Sequence, residues 1–234
     1  MAHRPGVSVC VYLKIHNFKN PNSTNTCVNS KVKLIGILIG FLAITGVGAS
    51  VFHFLKEPYN LGFNEFPTIT ALHVIPGAIY LALAPFQFVT LIRSRWIDYH
   101  RWMGRLLVLI GLLVGASALF IAIVIPFSGW VESVINGFFA LLFVYSMIRG
   151  YLSIRAKQID IHREWMIRAF ALGLAIATMR LIFIPVLIIA GNPSHDQIAM
   201  LSIVSFTIAF TLHIGLAEIW IRTTRNDLDP KTEK

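Results

Sequence analysis

Two stretches of the chain carry the same groups in nearly the same order: Asp98-Tyr99-His100-Arg101-Trp102-Met103-Gly104-Arg105 and Asp160-Ile161-His162-Arg163-Glu164-Trp165-Met166-Ile167-Arg168. Each stands at the mouth of a long apolar run, with its aspartate where an N-cap belongs, so each reads as a helix start. Free N–H groups and the helix dipole favour anions there. Arg101, Arg105, Arg163 and Arg168 add charge suited to a phosphate, a carboxylate, a lipid headgroup or an acidic partner, with His100 and His162 beside them. Metal or haem ligation by these two imidazoles is the second reading. The plainer one is anchoring, because arginine, histidine and tryptophan at a helix mouth also suit an interface. The ordered recurrence of Asp-x-His-Arg argues for more than anchoring. The second copy has one extra residue, Glu164, which rotates the remainder of the helix by about 100° and allows an i,i+4 pair with Arg168.

A second set of polar residues falls inside apolar runs: His53, His73, His213, Gln87 and Arg180. Such groups are expensive in an apolar medium and normally face a cavity or a partner. Haem b in a helical bundle needs axial histidines from facing helices and basic groups for its propionates. His73, with His53 or His213, and Arg180 are the candidates for that chemistry. Gln87 and Arg180 are expected to line a cavity. Pro76 and Pro85 make the run containing His73 the least regular one. The plainer reading makes each histidine a packing residue bonded to a neighbouring helix. It likewise makes Arg180 the partner of Glu132 or of a backbone carbonyl, and Glu218 the partner of Arg168 or Arg222. No HExxH, GxSxG or Walker-type glycine loop is present, and no set of residues identifies a metal site.

The elements that must position these residues follow from composition. Of 234 residues, 56% are hydrophobic and 13% charged, and the mean hydropathy is +0.71. No single water-soluble core hides that balance, so the chain reads as an all-α polytopic membrane protein. A crossing needs roughly twenty apolar residues. Six runs qualify, near 32–54, 70–92, 102–126, 130–152, 165–190 and 197–221. The basic residues cluster before the first run, around the second and fourth turns and after the last run, while the first, third and fifth turns hold almost none. The positive-inside rule then puts both termini and the even turns in the cytoplasm and accounts for the formal charge of +9 without nucleic acid.

Three parts are expected: a flexible polar leader over 1–31, a six-helix membrane domain over 32–222, and a polar cytoplasmic tail over 223–234. The leader holds Cys10, Cys27 and the sequon at Asn22 and lacks the pattern of a cleaved signal, so the first helix is expected to remain as an anchor. Runs two and three resemble runs four and five as a duplicated helical hairpin. Gly36-x-x-x-Gly40, Gly111-x-x-x-Gly115 and Ala169-x-x-x-Gly173-x-x-x-Ala177 place small residues on single faces, where helix packing is expected.

Taken together, "HVIPGAIY", "PFQF", Arg93-x-Arg95, "HRWMGR", "HREWMIR" and Arg180 resemble a widespread bacterial membrane family catalogued only as a domain of unknown function. The resemblance covers roughly residues 70–190. It implies a polytopic inner-membrane protein and a working surface drawn from His73, Gln87, His100, Arg101, Arg105, His162, Arg163, Arg168 and Arg180, and it lends no activity. The expected function is a haem- or quinone-associated electron-transfer component. The alternative is a non-enzymatic accessory or assembly subunit of a membrane complex, whose basic turns hold lipid or a partner.

Overall fold

In the computed structural model of the protein, residues 30–55, 65–126 and 128–226 are described, and every regular element among them is helical. In chain order these are α1 (Ser30–Leu55), α2 (Pro67–Leu83), a 3₁₀ segment (Ala84–Phe88), α3 (Thr90–Arg95), α4 (Ile97–Val124), α5 (Trp130–Arg155), α6 (Ile159–Ala190) and α7 (His195–Asn226). Five stretches are long and apolar enough to cross a bilayer: Pro67–Phe88, Ile97–Val124, Trp130–Arg155, Ile159–Ala190 and His195–Arg225. The described apolar part of α1, Leu34–Ala49, is shorter. Both cysteines, the sequon and the end of the tail lie outside the described residues, as does the side chain of His53 in the last turn of α1.

Several boundaries differ from the sequence reading for identifiable reasons. Neither aspartate is an N-cap: Trp96 and Gln158 hold those positions, and Asp98 and Asp160 lie in the first turn, where they act on the helix dipole. α4 and α6 therefore begin ahead of their apolar runs and carry the repeated clusters within their first turns. At about 1.5 Å per residue, the 32 residues of α6 exceed a hydrocarbon layer of about 30 Å, so its polar first turns can stand among headgroups. The second run is also not one α-helix. Pro85 has no N–H to continue the ladder, so the chain tightens into the 3₁₀ segment. Val89 is then extended (φ −70°, ψ 120°) before the short α3. This broken connection differs from the tight turn between α5 and α6, where Lys157 takes a left-handed φ of 60°.

α6 is the central element, packed on α1, α5 and α7. Contacts of α1 with α2, α2 with α4, α4 with α5, α5 with α6 and α6 with α1 close a ring. Lipid is as apolar as leucine and does not drive helices together, so close approach must come from small residues. Ala169, Ala175 and Ala177 are fully buried. A Cβ at Gly173 would stand 2.9 Å from Tyr80 Cε1, and one at Gly150 would stand 2.6 Å from Met166 Sδ. Gly111 and Gly115 of α4 receive Met147, Val144 and Phe143 of α5. Two of the three expected small-residue faces thus make packing contacts. Gly36 and Gly40 do not, because a Cβ at either would meet nothing within 4 Å and that face of α1 has no described neighbour. Large apolar side chains such as Leu109, Ile123, Phe138 and Ile189 point outward, as a hydrocarbon solvent allows. Trp96 and Trp102 stand exposed near the basic helix ends and Trp130 near the other end.

A methyl group at Gly115 would collide with Val144 Cγ2 and lie 3.2 Å from Phe143 Cδ1. Gly115→Ala is therefore expected to cost about 1–3 kcal/mol through overpacking, read as a lower unfolding midpoint in detergent, while Gly36→Ala leaves the midpoint unchanged. Equal midpoints for the two variants would contradict this packing.

Candidate functional site

Most polar side chains inside the bundle are satisfied by their own helix or a neighbour. Ser146 and Ser153 donate to the carbonyls of Leu142 and Arg149, each at 2.7 Å. His213 is buried between α6 and α7, with Nε2 2.8 Å from Thr178 Oγ1 and a further hydrogen bond to the Ala171 backbone. It packs helices together and takes no part in lining the bundle's cavity.

That cavity, of about 200 Å³, lies where α2, α4, α5, α6 and α7 meet. Tyr80, Phe139, Phe143, Phe206 and Phe210 supply aromatic walls, and His73, Asn136 and Arg180 are polar groups among them. His73 Nδ1 is 3.2 Å from the Val114 carbonyl and 3.1 Å from Ser117 Oγ. Donation from Nδ1 to that carbonyl makes Nε2 the acceptor nitrogen. Asn136 donates through Nδ2 to Glu132 Oε1 at 3.3 Å, while its Oδ1 is buried without a partner. The expected Arg180–Glu132 pair does not form: the Glu132 carboxylate is taken by Asn136 and by the Ser128 backbone N–H at 2.5 Å, one turn from its own helix start. Arg180 makes no hydrogen bond or ion pair with any described residue. A guanidinium inside a membrane-spanning helix and beside a cavity, with no counter-charge among the described residues, is costly until something in the cavity accepts its hydrogen bonds.

At the opposite, basic end the structure brings the two repeated clusters together. His100 is within electrostatic reach of Arg93, Arg101 and His162, and Arg93 of Arg163. Burial and the charge of Arg163 hold the Arg93 guanidinium below the ordinary arginine value, though it stays protonated at neutral pH. His162 Nδ1 is 2.8 Å from the Gly150 carbonyl, and Arg163 donates to Thr224 Oγ1 at 2.9 Å. Gln87 sits at this end, away from the cavity. Arg101 is exposed and 3.7 Å from Asp98, and Arg105 is exposed.

Arg168 has a structural post. Its Nε and Nη2 bind Glu218 at 2.5 and 3.1 Å, Glu164 lies 3.9 Å away, and its guanidinium covers the Trp165 ring at 4.6 Å. Both the i,i+4 pair and the pairing of Glu218 with Arg168 expected from the sequence are thus present. Glu164 also accepts from Arg225 at 2.8 and 2.6 Å, which ties the start of α6 to the end of α7. Sequence reasoning passed over Asn136 and Tyr80. Asn136 was open to the argument applied to Gln87, a lone amide within an apolar run, whereas Tyr80 is indistinguishable by sequence from any packing aromatic.

Helices of this length and apolarity, with polar groups turned inward and apolar ones outward, define a polytopic helical membrane protein. The chain belongs to the family described as "Predicted membrane protein (DUF2306)", whose model matches residues 70–221. No curated protein and no solved structure matches it.

Glu218→Gln removes the charge facing Arg168 and is expected to cost about 1–3 kcal/mol. The double variant with Arg168→Met should cost less than the two singles summed. Additive losses in unfolding midpoint would show that the pair is not coupled.

Proposed function

We propose that the protein binds a quinone-class molecule in the bundle cavity and serves membrane electron transfer. The observation that carries this reading is Arg180, a cation without an acidic partner among the described residues, lining an aromatic cavity with His73 and Asn136. A quinone offers what this lining lacks. Its carbonyl oxygens accept N–H bonds, its ring packs edge or face against Phe and Tyr, and its tail is at home in lipid. Arg180 can donate to one carbonyl oxygen, and the amide of Asn136, whose Oδ1 is without a partner, can accept from the hydroxyl of the reduced form.

The lining favours a quinone over haem b. A six-coordinate haem takes two axial ligands; His73 lines the cavity, His213 is engaged by Thr178, and the side chain of His53 lies outside the described residues. In topology the reading is a six-crossing protein of the bacterial cell membrane, with α1 as the sixth crossing. Both termini and the basic ends are cytoplasmic, and α2–α4 and α5–α6 are the two copies of a duplicated hairpin. The 26-residue length of α1 and the charge alternation support it.

Protein purified in mild detergent is expected to co-extract quinone in near-stoichiometric amount. Arg180→Leu should weaken rebinding tenfold or more, and Asn136→Leu should do so less. The preparation should show no Soret band. A Soret band weakened by His73→Ala would replace the quinone with haem, and a folded protein with no affinity for added quinone would overturn the reading.

A further inference from the structure

A second group of unpaired polar atoms lies at the basic end of the bundle, which the cavity does not use. Gln87 has both amide atoms, Nε2 and Oε1, buried without a hydrogen-bond partner, and His100 has Nδ1 in the same condition. They share one surface of α4. Gln87 Oε1 is 3.6 Å from where a Cβ of Gly104 would stand, and Gly104 is one turn beyond His100 on the same helix face. Buried polar atoms of this kind each cost free energy unless something completes them.

The charges around them point to what that is. Arg93 of α3 and His162 in the first turn of α6 act on His100, and Arg163, next to His162, acts on Arg93. The carboxylates at this end are committed or turned away. Asp98 is on Arg101, Glu164 on Arg168 and Arg225, and Glu218 on Arg168, while Asp160 is exposed and in no ion pair. Arg93 therefore has no acidic partner among the described residues, and Arg163 has only the hydroxyl of Thr224. The site is built from both repeated clusters and from the irregular backbone that Pro85 forces.

We propose that this junction is a phosphate-binding site, in which Arg93 and Arg163 hold the anion and the N–H groups of Gln87 and His100 complete its acceptors. A phosphate group suits it because it presents several acceptor oxygens to donors on separate elements, and guanidinium forks match that geometry. The phosphate can arrive on an anionic lipid headgroup or as a free ion, and the two sources are separable by experiment.

The full chain in detergent is titrated with inorganic phosphate, with phosphatidylglycerol and with phosphatidylcholine, reading the unfolding midpoint and bound lipid by native mass spectrometry. A rise with phosphate and with phosphatidylglycerol means that the phosphate group suffices. A rise with phosphatidylglycerol alone means that the site takes a headgroup with its chains. Either supports the proposal. Arg93→Gln with Arg163→Gln should weaken the response tenfold or more, while Arg105→Gln and Arg180→Leu should keep it. Gln87→Leu removes the orphaned amide, so it should raise the midpoint of the unliganded protein and lose the response, which separates ligand binding from misfolding. An equal response to phosphatidylcholine, no response to any probe, or a double variant that responds like wild type would overturn the proposal.

Discussion

Hydrocarbon offers no hydrogen bonds, so every polar group that enters it must be satisfied by the protein or its ligand. That constraint arranges this molecule. Ser117, Ser146, Ser153 and Thr207 fold their hydroxyls back onto carbonyls of their own helices. His213 turns to Thr178 and Arg168 to Glu218. Against that background, the exceptions among the described residues stand out: Arg180 and Asn136 Oδ1 at the cavity, Gln87 and His100 at the basic end, and the buried hydroxyl of Ser205 in α7.

The same solvent removes the usual reason for helices to associate, and the fold answers with close backbone approach. α6 presents Ala169, Gly173 and Ala177 to its neighbours, and α4 presents Gly111 and Gly115 to α5. Aromatic pairs then fill the wider gaps, with Tyr80 edge-on to Phe143 at 5.8 Å and Phe206 stacked on Phe210 at 4.0 Å. These rings also wall the cavity, so its shape and the packing of the bundle are set by the same contacts. Where the ring of helices is not filled by small residues and aromatics, a space remains, and Arg180 stands beside it.

Electrostatics at the basic end does two separate jobs. The network of Arg168, Glu218, Glu164 and Arg225 joins α6 to α7 and neutralises its own charge. Arg93 and Arg163 are left outside it, which keeps positive charge where the repeated clusters meet. The extra residue Glu164 separates these roles. It brings Trp165 inward, under Arg168 and against Tyr145, while Trp102 in the first copy stays exposed. Two clusters that look alike in sequence thus serve different ends, one facing outward and one knitting the bundle.

The sequence by itself determined the helical membrane class, because apolar length and charge alternation are local properties that the bilayer reads directly. It also determined the membership of the repeated clusters in helix starts and narrowed the partner of Glu218 to Arg168 or Arg222, of which the fold selects Arg168. Only the tertiary structure decided which polar residues share a space. Depth counted along a helix gives no rotation about its axis, so Gln87 and Arg180 were both expected to line a cavity, yet Gln87 lies against Gly104 at the basic end and Arg180 beside the aromatic walls. Nor could sequence distinguish Gly111 and Gly115, which meet α5, from Gly36 and Gly40, which meet nothing described. Packing partners come from helices far apart in the chain, and only their assembly separates a satisfied polar group from one that waits for a ligand.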